Sequence, residues 1–122
     1  MQYTPDDATP ELAVPPSTDV IQGTLELLIL KALSLEPMHG FGVGQRIEEI
    51  SRGVFRVNAG SLFLAFKRLE RDGMVDAEWR DSENNRRAKY YRVTETGRRQ
   101  LKAEAKDWER RAAAVARLLA AT

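Results

Sequence analysis

The C-terminal third of this chain carries the sequence feature that most constrains its fold, an apolar repeat with alternating spacings of four and three. Its members are Leu101, Ala105, Trp108, Ala112, Val115 and Leu119. Such alternation over almost three heptads is the a/d pattern of a helix that packs along another helix. Thr94 and Glu95 provide a start signal, and a helix ending at Ala120 would be about 40 Å long. Because a small domain cannot cover that length, residues 94–122 are predicted to project and to form a homodimer with a second copy.

The composition indicates one globular domain in the remainder of the chain. Of 122 residues, 43% are hydrophobic and 30% are charged, and none is cysteine. Disulfides and zinc–thiolate sites are therefore excluded, which favours a reducing cytoplasm. No apolar run approaches the roughly 20 residues of a membrane span, and the N-terminus lacks the features of a secretory signal. We expect a cytoplasmic protein without a membrane partner, and we predict no metal and no cofactor.

The charges are unevenly distributed although the formal net charge is only +1. Residues 1–20 hold four acids and no base, and they include four prolines. A polar, proline-broken stretch is difficult to pack, so residues 1–19 are predicted to be a flexible acidic arm. Residues 58–122 hold fifteen bases against ten acids, and we expect that half to face a polyanion.

Three helices are predicted within a domain over residues 20–93. A helix is predicted from Thr24 to Ser34, and its own apolar residues cover most of its circumference. This helix should therefore be buried on several sides. A turn over residues 36–40 precedes a second helix, for which Gly53 is the expected C′ residue. Asn58 is a plausible N-cap for a third helix that Gly73 ends.

The outer face of the third helix carries small side chains at its start and cationic side chains further on. A helix that enters a DNA major groove needs such a face, with bases reached from its first turns and phosphates beyond. The predicted contacts are Asn58, Gly60, Ser61, Phe63, Leu64, Lys67 and Arg68. A plain solvated face is the alternative interpretation.

A basic β-hairpin is predicted to follow that helix. Val75, Ala77 and Trp79 alternate with charged residues, and a polar stretch leads into a second strand with Tyr91 and Val93. We interpret Trp79 as core at the base of the hairpin. The cationic return strand is typical of a wing that holds the DNA backbone. Its predicted contacts are Asn84, Asn85, Arg86, Arg87 and Lys89.

Two other classes of function compete with DNA binding. An enzyme is disfavoured, because the only histidine, His39, lies in a turn and no paired carboxylates have catalytic spacing. A winged-helix adaptor that binds proteins and not DNA is the stronger rival. The cations on both predicted DNA-facing elements argue against it.

Four segments resemble the signatures of the PadR family of transcriptional regulators. They are GTLELLILKAL (23–33), EPMHGF (36–41), VNAGSL (57–62) and SENNRRAKYY (82–91). The resemblance implies a mainly α fold with a small β-hairpin, namely a winged helix-turn-helix followed by a long dimerisation helix. It also implies a bacterial repressor that binds double-stranded operator DNA. In this family a small molecule often releases the repressor from the DNA. The resemblance further suggests Trp108 as a platform for a planar aromatic effector, whereas plain dimer core is the simpler interpretation.

The chain departs from the family pattern at two places. The family usually has Ser-Leu-Tyr-Pro where this chain has Ser61-Leu62-Phe63-Leu64. Phe63 lacks a hydroxyl that could contact a phosphate, and Leu64 could contact a thymine methyl group. The family also has Gly-Tyr-Gly where this chain has Phe41 between two glycines, and we interpret Phe41 as a packing residue.

Overall fold

The computed structural model describes residues 24–81 and 86–122 of the chain. The predicted acidic arm over residues 1–19 lies outside these described residues. The described elements, in chain order, are α1 (Leu25–Leu35), β1 (Met38–His39), α2 (Gly40–Ile50), α3 (Ala59–Arg71), β2 (Val75–Asp81), β3 (Arg87–Val93) and α4 (Glu95–Ala120). This order and topology confirm a winged helix-turn-helix with a long C-terminal helix.

Helix α1 lies at the centre of the core, as its apolar circumference predicts. Ile29, Leu30 and Leu33 are each at most 1% exposed. Helices α2 and α3 contribute Val43, Ile47, Leu62 and Phe66 to the same core, and the sheet contributes Val75, Tyr91 and Val93. One apolar cluster therefore fixes how the helices and the hairpin lie relative to each other.

The sheet has three strands where the sequence predicts two. Its order is β1-β3-β2, and all pairs are antiparallel. The sequence predicts a turn at Met38 and His39, but these residues pair with Tyr91 and Tyr90. A two-residue strand is too short to show the alternation that identifies strands in a sequence. His39 also caps α2, since its Nδ1 accepts a hydrogen bond from the Gly42 N–H at 3.1 Å.

The end of α2 differs by one residue from the prediction. Arg52, not Gly53, occupies the C′ position, with φ of 56°. Its N–H donates to the Glu49 carbonyl, and the Gly53 N–H donates to the Glu48 carbonyl at 2.8 Å. These two bonds form a Schellman motif. Gly53 has a φ of 80° and is the second left-handed residue of the turn.

Helix α3 begins and ends where its signals predict. The Asn58 side chain accepts a hydrogen bond from the Ser61 N–H at 2.7 Å, and Gly73 follows the helix with φ of 73°. Phe66 stacks on Tyr91 of β3, with 4.0 Å between ring centroids and 17° between planes. The inner face of α3 is thereby held against the sheet, and its other face points away from the core.

Helix α4 is anchored at its start and exposed over most of its length. Thr94 Oγ1 accepts a hydrogen bond from the Gly97 N–H at 3.0 Å and donates to the Gly73 carbonyl at 2.7 Å. Leu101 packs against the core, and α4 also contacts α1. Beyond residue 108 nearly every side chain is exposed.

Candidate nucleic-acid interface

The outer face of α3 is exposed from its first turn. Gly60, Phe63, Leu64 and Lys67 are all exposed, and Ser61 is partly exposed. Lys67 Nζ lies 5.3 Å from the centroid of the Phe63 ring, which places a cation beside the apolar part of this face. Leu62, Ala65 and Phe66 are buried beneath them. The face thus has the arrangement that the sequence predicts, with small and apolar groups followed by a cation.

The β2–β3 hairpin lies beside the C-terminal half of α3. Lys89 Nζ on β3 is 3.3 Å from Glu70 Oε1 on α3. Partial burial disfavours the charged form of Lys89, but the hydrogen bond to Glu70 and nearby negative groups outweigh it, so the pKa of Lys89 is raised. Lys89 therefore stays cationic at neutral pH and links the hairpin to α3.

The two faces of the hairpin carry different charge patterns. On the face away from α3, Arg80 pairs with Glu78 and Arg92 pairs with Asp76, each at 2.8 Å. On the other face, Arg87 lies 5.9 Å from the centroid of the Trp79 ring. Neither Arg86 nor Arg87 forms an ion pair with a carboxylate of the described residues, and these two cations lie at the tip end of β3, where Asp81 is the cross-strand neighbour of Arg87.

The sequence predicts that Trp79 is part of the core at the base of the hairpin. This prediction is wrong, because 58% of the residue is exposed. The alternation of β2 correctly places Trp79 on the same face as Val75. Trp79 is four residues further along, however, and at about 3.3 Å per residue β2 has passed the edge of the core by then. The sequence signal gives the face of a strand but not how far the core extends beneath it.

Phe41 is likewise exposed, although the sequence interpretation made it a packing residue. Val43 and Ile47 are the buried residues of α2, and helical geometry places Phe41 on the opposite side. This spacing is the signal that could have identified it. Phe41 and Phe63 both line an apolar groove of about 280 Å³ with Gly40, Ala59, Leu62, Phe66 and Tyr91.

The remaining predicted contacts of the wing and α3 differ in their surroundings. Arg68 Nε is 2.6 Å from Glu26 Oε2 on α1, so this guanidinium ties α3 to α1. Asn84 and Asn85 lie outside the described residues. Arg68, like Lys89 with Glu70, is therefore a predicted contact whose charge is already paired within the domain.

The predicted seam of α4 divides into two parts. Leu101 and Ala105 are partly buried within the protein's own domain, whereas Ala112, Val115 and Leu119 are exposed. Between the two parts, Trp108 is 49% exposed. It borders a shallow pocket of about 230 Å³ with Thr24, Leu27, Glu104, Asp107 and Arg111.

Asp107 is a carboxylate of this pocket that two arginines hold. Arg110 and Arg111 both form ion pairs with it. The hydrogen bond from Arg110 holds the pKa of Asp107 below its ordinary value. The carboxylate is therefore ionised at any physiological pH, and it keeps both guanidinium groups along one side of α4.

The described ranges show neither a cluster of metal ligands nor a membrane-spanning helix. Residues 24–81 and 86–122 contain no group of three or more His, Cys, Asp or Glu side chains that could hold a metal ion. No helix in these ranges combines the length and the apolar composition needed to cross a bilayer.

Comparison with known proteins identifies relatives over most of the chain. Residues 29–103 match the sequence model of PadR, the transcriptional regulator PadR-like family. An uncharacterized protein of Lysinibacillus sphaericus is 29% identical over 91 residues, which are 75% of this chain and 84% of that protein.

Solved structures show the same architecture. A PadR family transcriptional regulator from Eggerthella lenta has a TM-score of 0.76 and 26% identity, with 96% of each chain covered. A transcriptional regulator from Clostridium thermocellum has a TM-score of 0.74 and 26% identity, with 81% of this chain and 96% of the other covered. A family model and independent structures therefore agree on the fold and on the kind of protein.

Proposed function

Because this chain belongs to the PadR-like family of transcriptional regulators, we propose that it is a dimeric, sequence-specific repressor of operator DNA. The observation that carries the proposal is the placement of the exposed face of α3 beside a hairpin whose tip-end arginines have no carboxylate partner among the described residues. A helix that reads base edges and a wing that contacts phosphates need this juxtaposition.

In the proposed complex, α3 enters the major groove through its first two turns. Gly60 permits close approach, and Ser61, Phe63 and Leu64 face the bases. Phosphate contacts come from a second set of side chains, which comprises Asn58, Lys67, Arg68, Asn84, Asn85, Arg86, Arg87 and Lys89. The pairs of Arg68 with Glu26 and Lys89 with Glu70 reduce their free charge, so Lys67, Arg86 and Arg87 are expected to contribute most.

The exposed aromatic side chain of Trp79 extends the proposed wing contact. Tryptophan is seldom left in water without a partner, and it is enriched where binding energy is concentrated. Its ring shares a strand face with Arg87 and Lys89. We therefore assign Trp79 to the wing surface that packs against the sugars and phosphates.

The proposed dimer forms through residues 94–122, and residues 20–93 form the DNA-binding domain. The exposed seam residues Ala112, Val115 and Leu119 would pack against those of the second copy. Leu101 and Ala105 serve the domain's own packing as well. One winged helix buries little DNA surface, and two copies double both the contacts and the length of sequence read.

We further propose that a planar aromatic effector binds beside Trp108. The half-exposed indole, the neighbouring Leu27 and the shallow pocket support this assignment. Because Trp108 lies between the part of the seam that packs on the domain and the exposed part, a bound ligand would change how α4 meets both its own domain and the second copy.

A pull-down of sheared genomic DNA from the encoding organism with the purified protein tests the function. We expect recovery of a small set of fragments upstream of genes. Uniform recovery, or none, would contradict sequence-specific binding and favour the alternative, an adaptor that keeps the winged-helix scaffold but binds proteins. The recovered fragments would also identify the regulated genes.

A further inference from the structure

The first two turns of α3 contain almost no hydrogen-bonding side chain. Residues 59–66 read AGSLFLAF, in which Ser61 is the only polar residue. The side chain of the preceding Asn58 already accepts a hydrogen bond from the Ser61 N–H. The part of the helix nearest the bases in the proposed complex therefore cannot form the bidentate hydrogen bonds by which Arg, Asn or Gln read guanine or adenine.

The same two turns expose large apolar side chains. Phe63 is 59% exposed and Leu64 is 55% exposed. Water-exposed apolar area of this size is costly, and in this protein it lies next to the cation of Lys67. A partner that suits both features carries negative charge and also presents apolar groups that can contact Phe63 and Leu64.

We propose that Phe63 and Leu64 read the 5-methyl groups of thymines, and the proposal rests on the DNA-binding function proposed above. The thymine methyl is the only methyl group that the four bases present in the major groove, where the other recognition features are hydrogen-bond donors and acceptors. An apolar side chain placed against those edges would leave them without hydrogen-bond partners, which costs free energy. Discrimination at these positions thus comes from methyl contact and from exclusion of the other bases.

Charge complementarity selects DNA as the occupant of this face over an uncharged ligand. Lys67 lies one turn beyond Phe63 and Leu64 on the same side of α3, and Lys89 of β3 pairs with Glu70 further along the helix. A thymine-bearing strand would place its methyl groups at the start of α3 and its phosphates along these cations. The operator half-site is therefore expected to have thymines under the N-terminal half of α3.

Replacement of thymine by uracil tests the proposal, since it removes the methyl group alone. The probe is a duplex trimmed from the fragment that the protein binds most tightly, with each thymine changed in turn to deoxyuridine. At about 0.8 kcal/mol per buried carbon, loss of one methyl should weaken binding about four-fold at the contacted positions. Substitutions outside the half-sites should leave the affinity unchanged.

Two variants assign the effect to a side chain. Leu64→Ala should bind the thymine duplex more weakly and should no longer distinguish thymine from uracil at one position. Leu35→Ala, which shortens a leucine that is 48% exposed at the end of α1, is the matched control and should keep the full discrimination. Both sites are exposed, so thermal unfolding should be nearly unchanged.

The outcomes separate this proposal from the proposed function. Sequence-specific binding without any thymine-to-uracil effect would overturn the methyl contact and leave the regulator intact. An undiminished effect in both Leu64→Ala and Phe63→Ala would also overturn it. Failure to bind any fragment specifically would overturn both.

Discussion

At the scale of single residues, the partner of each arginine distinguishes the two faces of the wing. Arg80 and Arg92 each face a carboxylate at 2.8 Å. Exposed pairs of this kind contribute little to stability, but they cancel charge where it would otherwise attract a polyanion. Arg86 and Arg87 form no such ion pair with a carboxylate of the described residues, and Asp81 is the cross-strand neighbour of Arg87.

We predict that Arg86→Ala with Arg87→Ala weakens binding to specific and random DNA alike. If each side chain neutralises one phosphate, the slope of log K against log salt should fall by about 1.8 per protomer. Anisotropy titrations at several salt concentrations measure the slope. Arg110→Ala with Arg111→Ala removes the same charge from side chains that pair with Asp107, and it should leave the slope nearly unchanged. An unaltered slope in the wing variant would refute the wing contact.

Trp79 gives a second prediction at this scale. In a Trp108→Phe background it is the only indole, and DNA should shift and partly quench its emission as sugars and phosphates replace water. Random DNA should produce the same change, because the contact does not depend on sequence. If saturating DNA does not change the emission, Trp79 does not contact the DNA.

At the scale of elements, the junction between the hairpin and α4 depends on close backbone approach. Gly97 is buried, and a Cβ there would overlap the Met74 carbonyl oxygen and lie 2.8 Å from Val93 Cγ2. The obstruction includes the Met74 carbonyl, which a hydrogen bond from the Thr94 N–H holds in place at 3.0 Å. The first turn of α4 therefore has little freedom to move away.

We predict that Gly97→Ala lowers the free energy of unfolding by about 3 kcal/mol, because it overpacks this junction. Gly60→Ala is the control within α3, where the added Cβ meets only Asn58 Oδ1 at 3.5 Å. Because Gly60 lies in the first turn of α3, that change should raise the stability by at most about 0.5 kcal/mol. Urea unfolding of both variants measures the difference, and equal stabilities would refute the close approach.

The elements also show what the sequence can predict. Strong periodicity or a capping residue locates a helix within about a residue, as for α3 with Asn58 and α4 with Thr94. The two-residue β1 has no such signal, because its pairing with β3 is a tertiary contact with no local pattern. The sequence does not predict the surface position of Trp79 for a related reason, because the alternation of a strand does not show where the core ends.

At the scale of the whole molecule, α4 exposes more apolar surface than a lone domain needs. Val115 is 53% exposed and Leu119 is 81% exposed. We predict that Val115→Glu with Leu119→Glu gives a monomer by sedimentation, because four like charges would meet across a two-fold seam. Ala113→Glu with Ala120→Glu adds the same charge off the seam and should leave the dimer. A seam double variant that stayed dimeric would exclude the seam as the interface.

The proposed effector site also belongs to the scale of the proposed dimer. In a Trp79→Phe background, planar aromatic compounds should quench the emission of Trp108 saturably, and Trp108→Leu should abolish compound-dependent release of DNA while the protein remains dimeric. If no compound in a broad set of planar aromatics quenches this emission saturably, Trp108 has a packing role only.

Selection of duplexes from a random library by the purified wild-type protein tests the central claim most directly, because it requires α3, the wing and the dimer together. We predict a two-fold symmetric motif whose half-sites are centred one helical turn apart, roughly 34–36 Å, or a multiple of that distance. Enrichment of a single half-site would contradict the dimer. No enrichment over the starting library would contradict DNA reading by this protein.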